Sequence, residues 1–330
     1  MDTLTTVLGD YPHGRALLRG ETGPTGYRIE PVRVEPVIGA YRRMIRDLEF
    51  DVCELAPVSY LMARQAGVPL TAIPVFLNRR FHHADVECAA DSGIREPRDL
   101  EGRRIGVRAY TVSTGVWVRG ILREEYGVDL AKVEWVVDDE DHVEGRNPPN
   151  VTRVADGRSL GQLLRAGEID AALSGNAGTG RAGAPREGWA AQAAAAAGAE
   201  EGSSDPYPLF AEAEVLATDW YRRTGIYPLH SVIALRDELV ARDPGLPTAL
   251  YAAFAASKRR QVEADPGWGA LPRFARQSRE IHGDPVPYGL TVNAPSLDAL
   301  VRYCRDQGLL DPHFPADLPA LFADGEYPDA

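Results

Sequence analysis

Cysteine is nearly absent: Cys53, Cys88 and Cys304 are widely separated and odd in number, with no Cys-x-x-Cys pair. Neither a disulfide framework nor a thiolate zinc site is therefore suggested. Long apolar runs are missing as well, since no segment approaches the roughly 18 apolar residues of a membrane helix. The stretch Met1 to Gly20 carries Asp2, Asp10, His13 and Arg15 where a signal peptide would have its apolar core. A cytoplasmic location is therefore expected. There is no excess of positive charge either: the formal net charge is -12, which argues against nucleic acid or an anionic membrane surface as partner. An anionic small molecule stays compatible if a cleft concentrates positive charge locally. No helix face marks an interface, and a homo-oligomer is compatible with the sequence.

What is present is an ordinary globular composition, 44% hydrophobic and 25% charged over 330 residues, enough for two lobes. Strand and helix signals alternate. Thr3 to Leu8, Tyr27 to Val34, Phe50 to Leu55, Thr71 to Phe76, His83 to Ala89 and Arg104 to Val107 read as strands, with helices after Gly39 and Pro57. A second cycle has helices over Ser113 to Glu125 and Leu160 to Arg165, and strands over Val133 to Val137 and Ile169 to Leu173. Helix Ala211 to Arg223, strand Ile226 to Leu235 and long helices over Leu246 to Glu263 and Ser296 to Gln307 follow. This spacing predicts βαβ units and mainly parallel sheets flanked by helices. The expected division is residues 1–107 plus 231–330 as one lobe and 108–230 as the other, with a ligand cleft between lobes. Residues 174–205 are Gly-, Ala- and Ser-rich and read as a flexible loop.

The segment Asn78-Arg79-Arg80-Phe81-His82-His83 follows an apolar run. Two guanidiniums and two imidazoles there form an anion-binding and proton-transfer set, because Arg presents a fork matched to carboxylate and His exchanges protons near neutral pH. Tyr110 and His230 lie by the expected crossovers. A spaced His83, Asp85 and Glu87 would share one face of a strand, but the pattern is no specific metal signature and no metal is expected. Lys258, Arg259 and Arg260 read as a solvated helix face, Asp138 to Glu144 as a solvated acidic loop, and Trp117 as packing.

Seven motifs in order then carry a resemblance. They are Gly9-Asp10-Tyr11 with Arg15-Ala16-Leu17, Phe50-Asp51-Val52-x-Glu54-Leu55, Arg79-Arg80-Phe81-x-His83, Val116 to Leu122, Asp139-Glu140-Asp141-His142-Val143, Gly225 to His230, and Pro287-Tyr288-Gly289-Leu290. Over about residues 3–310 the chain closely resembles the 4,5-dihydroxyphthalate decarboxylase family. The resemblance implies a two-lobed type 2 periplasmic-binding-protein-like α/β fold used as a cytoplasmic lyase without an organic cofactor. His82 stands where the family would have Arg, and Tyr11-Pro12-His13-Gly14 replaces a charged pair.

Loss of carbon dioxide from a hydroxylated ring needs a cation on the non-reacting carboxylate, an acid for the ipso carbon, and a partner for the para hydroxyl. Arg79 or Arg80 fits the first role, with Arg119 an added candidate that a structural ion pair with Glu124 or Glu125 could equally explain. His83 or His230 fits the second role. Glu54, His82 or His142 fits the third, with Tyr110, Tyr288 and Ser59 as hydrogen-bonding liners. An organic-acid solute-binding protein, or another lyase or cyclase on the same fold such as one acting on a chorismate-derived acid, are the alternative readings.

Overall fold

The computed structural model describes residues 2–143, 145, 147–180, 205–315 and 317–330; of the expected flexible loop, 181–204 lie outside the described residues. The chain forms two compact units. One comprises Met1–Arg80, Thr218–Arg302 and Leu310–Ala330, and the other Phe81–Ala217 with Tyr303–Leu309.

The first unit is built on a five-stranded sheet. Its strands are β1 (Asp2–Val7), β2 (Tyr27–Pro31), β3 (Val52–Leu55), β4 (Leu70–Ile73) and β11 (Val232–Arg236), in the order β2-β1-β3-β11-β4. β1 runs parallel to β2 and β3, whereas β11 is antiparallel to β3 and β4. Leu4, Val52, Ile73, Ile233 and Leu235 are fully buried in one apolar cluster, joined by Leu246, Leu250, Tyr251 and Phe254 of helix Leu246–Ala264. Those helix positions recur at the three-to-four-residue period of one buried face. Ser257 on the same helix accepts from the Leu17 N–H at 3.2 Å and donates to the His13 carbonyl at 2.8 Å, which pins the turn after β1.

The second unit holds β5 (Val86–Cys88), β6 (Arg104–Val107), β7 (Glu134–Val137), β8 (Val151–Arg153), β9 (Ala171–Leu173) and β10 (Tyr207–Pro208), ordered β10-β5-β9-β6-β7-β8. Here β9-β6-β7-β8 are parallel, and β5 and β10 run against their neighbours. Helix Leu160–Arg165 starts with a reciprocal Ser159–Gln162 capping box. Gly120 is a glycine of necessity: a Cβ there would lie 2.1 Å from the Tyr303 ring. Trp117 packs edge-on against the same ring at 5.7 Å, as expected of a packing residue.

Each sheet is mainly parallel, as expected, with one strand, β11 in the first and β5 in the second, entering in the reverse direction. Three expectations change. The first lobe does not extend to residue 107, since β5 and β6 pair with β9 and β7 in the second sheet, and the chain returns to the first unit at Thr218 rather than at 231. The strand expected from Ile226 begins at Val232; before it, Leu229 makes only an isolated bridge with Arg79. Residues His83–Asp85 form a 3-10 turn, so the alternation that would put His83, Asp85 and Glu87 on one face does not hold. Among the described residues no helix is long and apolar enough to cross a membrane.

Candidate active site

The strand order fixes where a site forms in the first unit. From β1 the chain crosses to β2 on one side and then returns to β3 on the other, so the segments after β1 and β3 diverge at the carboxyl ends of adjacent parallel strands. Such a switch point leaves a crevice in an open α/β sheet. Glu54, next to last in β3, has 1% of its surface exposed. Its Oε2 accepts the Gly9 N–H at 2.8 Å and its Oε1 accepts the Tyr11 hydroxyl at 2.9 Å. Ser231 and Tyr41 also donate to it. No cation pairs with Glu54 among the described residues. Burial therefore raises its pKa above the usual carboxylate value, and the donors oppose that rise only in part.

Gly9 is dictated by this geometry, because a Cβ would lie 2.7 Å from the Tyr11 ring folded back over it. The Tyr11 ring in turn stacks on buried His13 at 5.5 Å, and His13 touches Trp268 and Phe274. Desolvation holds the His13 imidazole neutral, with its pKa near 3, and Nε2 lies 3.1 Å from the Leu77 carbonyl. Burial first, and then the neighbouring Glu54, push the Tyr11 phenol well above its ordinary pKa. Asn78 donates to Tyr11, and the Asn78 Oδ1 accepts from Arg273 Nη2 at 2.6 Å. Side chains thus connect in series from Glu54 through Tyr11 and Asn78 to Arg273. A cavity of about 510 Å³ at the ends of β1 and β2 has Gly9 and Tyr11 in its wall.

Several of the residues singled out in the sequence join this group or border it. Arg80 is half-buried and lies near enough to Arg273 for its charge to lower the Arg273 pKa, after the larger effect of burial. His230 is half-buried, and its backbone N–H donates to the Asn78 carbonyl at 2.9 Å. Ser59 is buried as the third residue of helix Pro57–Gln65, just beyond β3. Tyr288 is fully buried; Lys258 Nζ sits 4.6 Å from its ring centre, and its hydroxyl has no hydrogen-bond partner among the described residues.

Arg79 has a different environment from the expected carboxylate clamp. It is 1% exposed, donates to Asn293, to the Tyr227 carbonyl and to Ser296 Oγ at 3.1 Å, and lies 4.3 Å over the Tyr227 ring. Burial lowers its pKa to about 10. Lys258 also departs from its expected solvated face. Only 4% exposed, it donates to Asp284, to the Val286 carbonyl at 2.9 Å and to Ala330 O at 2.8 Å. An inward position on the helix, set by packing against β-sheet residues, overrides the basic run around it.

The remaining candidates belong to the second unit. His82 Nδ1 lies 2.7 Å from Asp85 Oδ2, both buried, which orients the imidazole. His83 is buried with its ring 6.0 Å from Phe210. Arg119 is fully buried, and no ion pair with Glu124 or Glu125 forms. Instead it donates to Gln307 Oε1 at 2.7 Å and to the Tyr110 carbonyl, stacking 3.8 Å over the Tyr110 ring and 5.1 Å over Trp135. The acidic run expected to be solvated is instead buried at Asp138, Asp139, Asp141 and His142. Asp139 pairs with Arg108 at 3.5 Å, and Asp141 Oδ1 accepts from the Thr111 N–H and hydroxyl at 3.0 and 2.6 Å. Sequence reasoning did not single out Tyr11, Tyr41, Asn78, Ser231 or Arg273 as members of the hydrogen-bonded group around Glu54. Tyr11 and Asn78 lay within quoted motifs, whereas nothing local marked the other three.

Comparison with known proteins gives consistent results. Residues 44–145 match the family described as NMT1/THI5 like. The chain is 32% identical over 324 residues to a 4,5-dihydroxyphthalate decarboxylase of Comamonas testosteroni, covering 93% of this chain and 92% of that protein. A Pseudomonas putida protein of the same name is 36% identical over 135 residues, covering 40% and 52%. The periplasmic aliphatic sulphonate binding protein of Escherichia coli superposes with a TM-score of 0.51 at 12% identity, covering 98% of both chains. At that identity the likeness shows the fold alone, the two-lobed type 2 periplasmic-binding-protein-like α/β fold.

Proposed function

The chain belongs to the 4,5-dihydroxyphthalate decarboxylase family, and from that premise we propose that it is a carboxy-lyase removing one carboxylate from a dihydroxylated aromatic dicarboxylate of the 4,5-dihydroxyphthalate type. The observation that carries the reading is the Tyr11–Glu54 pair at the β1/β3 switch point. In such a substrate each carboxylate stands para to a hydroxyl. Tyr11 takes the proton of that hydroxyl as its own passes to Glu54 Oε1, 2.9 Å away. A carboxyl whose burial raises its pKa is suited to receive it.

The electron density released to the ring reaches the ipso carbon, which His230 protonates. The carbon–carbon bond then breaks, its electron pair restores the aromatic ring, and carbon dioxide leaves; the proton held by Glu54 returns through Tyr11 to the oxygen. One proton enters the ring in place of the carboxylate and no electrons are gained or lost, so the chemistry calls for no organic cofactor. Arg80 supplies positive charge for the carboxylate that stays. The reading includes action in the cytoplasm, which the three buried free thiols fit.

The fold is shared with solute-binding proteins, but the relative that spans nearly the whole chain carries an enzyme's name. Purified protein given 4,5-dihydroxyphthalate without cofactor is expected to release carbon dioxide and 3,4-dihydroxybenzoate in equal amounts. Tight binding with no turnover across a panel of hydroxylated benzoates and phthalates would overturn the reading in favour of solute binding.

A further inference from the structure

Arg273 is the second residue of helix Pro272–Ile281, and its neighbour Phe274 anchors that helix: Phe274 is fully buried and packs edge-on against Trp268 at 5.6 Å and beside His13 at 5.8 Å. The Arg273 guanidinium lies 4.9 Å over the Phe274 ring and is half-buried. One N–H of Nη2 goes to Asn78 Oδ1 at 2.6 Å, and this bond fixes the plane of the fork. Its other N–H groups have no partner, and no carboxylate pairs with it, among the described residues.

A half-buried guanidinium is costly to leave without an anion, and here a second guanidinium, Arg80, lies close enough to disfavour its charge further. Asn78 joins the two functions, since its side chain receives Arg273 and donates to Tyr11, the residue hydrogen-bonded to Glu54.

We propose that Arg273 is a specificity-determining residue that, beside Arg80, binds the carboxylate the reaction leaves on the ring. A planar fork matches a carboxylate in two-point contact, and its tether to Asn78 sets that carboxylate at a fixed distance from the hydroxyl-directed Tyr11. The inference rests on the decarboxylase reading for the identity of the anion. It accounts for a dicarboxylate substrate: one carboxylate reacts and the other supplies the handle.

Titration calorimetry with 3,4-dihydroxybenzoate, which keeps the handle, and catechol, which lacks it, tests the proposal on wild type, Arg273→Gln and Arg273→Lys. Arg273→Gln is expected to weaken 3,4-dihydroxybenzoate by about tenfold to a hundredfold, the worth of a charge-assisted hydrogen bond, while catechol stays within about threefold. Arg273→Lys recovers part of the loss. The ratio of the two affinities does not depend on the fraction of protein folded, so a poorly folding variant still reports. Equal weakening of both ligands, or none, would overturn the proposal. Carbon dioxide release by the wild type is measured on the same preparation: its absence would sink the decarboxylase reading, while a carboxylate-dependent effect of Arg273 would still stand.

Discussion

Glu54→Gln separates the chemical role of the buried carboxyl from its structural one. The amide keeps an oxygen for the Gly9 N–H, which now bonds a carboxylate oxygen at 2.8 Å. Its NH₂ can donate to the hydroxyls of Tyr11, Ser231 or Tyr41, because a hydroxyl rotates to accept as readily as it donates. The variant should therefore fold. Replacing charge-assisted bonds by neutral ones costs about 1 to 2 kcal/mol, and removing an ionised, desolvated group without a cation offsets much of that. Catalysis should suffer far more: loss of a general base lowers kcat by about 10²- to 10⁴-fold, or about 3 to 5 kcal/mol of barrier.

The pH dependence has a definite sign. Since the folded-state pKa of Glu54 is raised above its ordinary 4.5, the native state holds this proton more tightly than the unfolded chain does. Its contribution to stability is present below pH 4.5 and is lost as pH rises through the folded pKa. Urea unfolding followed across that range should show the wild type losing stability relative to Glu54→Gln with rising pH. Initial rates of carbon dioxide release from 4,5-dihydroxyphthalate supply kcat. A Glu54→Gln enzyme within about threefold of wild type would refute the base assignment, and parallel pH–stability curves would refute the raised pKa.

His230→Ala is expected to lower kcat by about 10²- to 10⁴-fold with little change in the affinity for 3,4-dihydroxybenzoate, and His83→Ala to lower it much less. Single-turnover kinetics checks this, and the reverse order would move the acid to the second unit. Lys258→Met should cost about 1 to 3 kcal/mol in urea unfolding, less than for a fully buried pair because Asp284 keeps 35% of its side-chain surface and can be rehydrated. No measurable loss would show that Lys258 does not hold the segment ending at Ala330.

Local signals in the sequence carried the secondary structure a long way. Helix Ser113–Tyr126 lies where its apolar spacing put it, and helix Leu160–Arg165 lies between the expected residues, because periodicity and capping are properties of a few neighbouring side chains. Helix Pro272–Ile281 escaped notice: only Phe274 and Gln277 are buried on it, too few for an apolar stripe. The ordered motifs identified the family without any knowledge of packing. Glu54 could be named as a carboxylate that must be satisfied, because β3 read as buried.

Burial of charge was decided elsewhere. Read along the chain, Arg79 looks like an anion-binding side chain, and Lys258 and the Asp138 to Glu144 run look like solvated polar segments. Their surroundings come from Tyr227, Asn293 and Ser296, from Val286 and Ala330, and from Arg108 and Thr111. By itself the sequence determined the family, the alternation of elements and the kinds of group available for the chemistry. Only the tertiary structure decided that residues 9, 11, 41 and 231 surround Glu54, and that Arg273 bonds Asn78 within reach of the Arg80 charge. The physical reason is that desolvation and hydrogen bonding act through space, between side chains brought together by pairings of strands far apart in sequence, such as Val232 beside Leu55, and no local pattern records them.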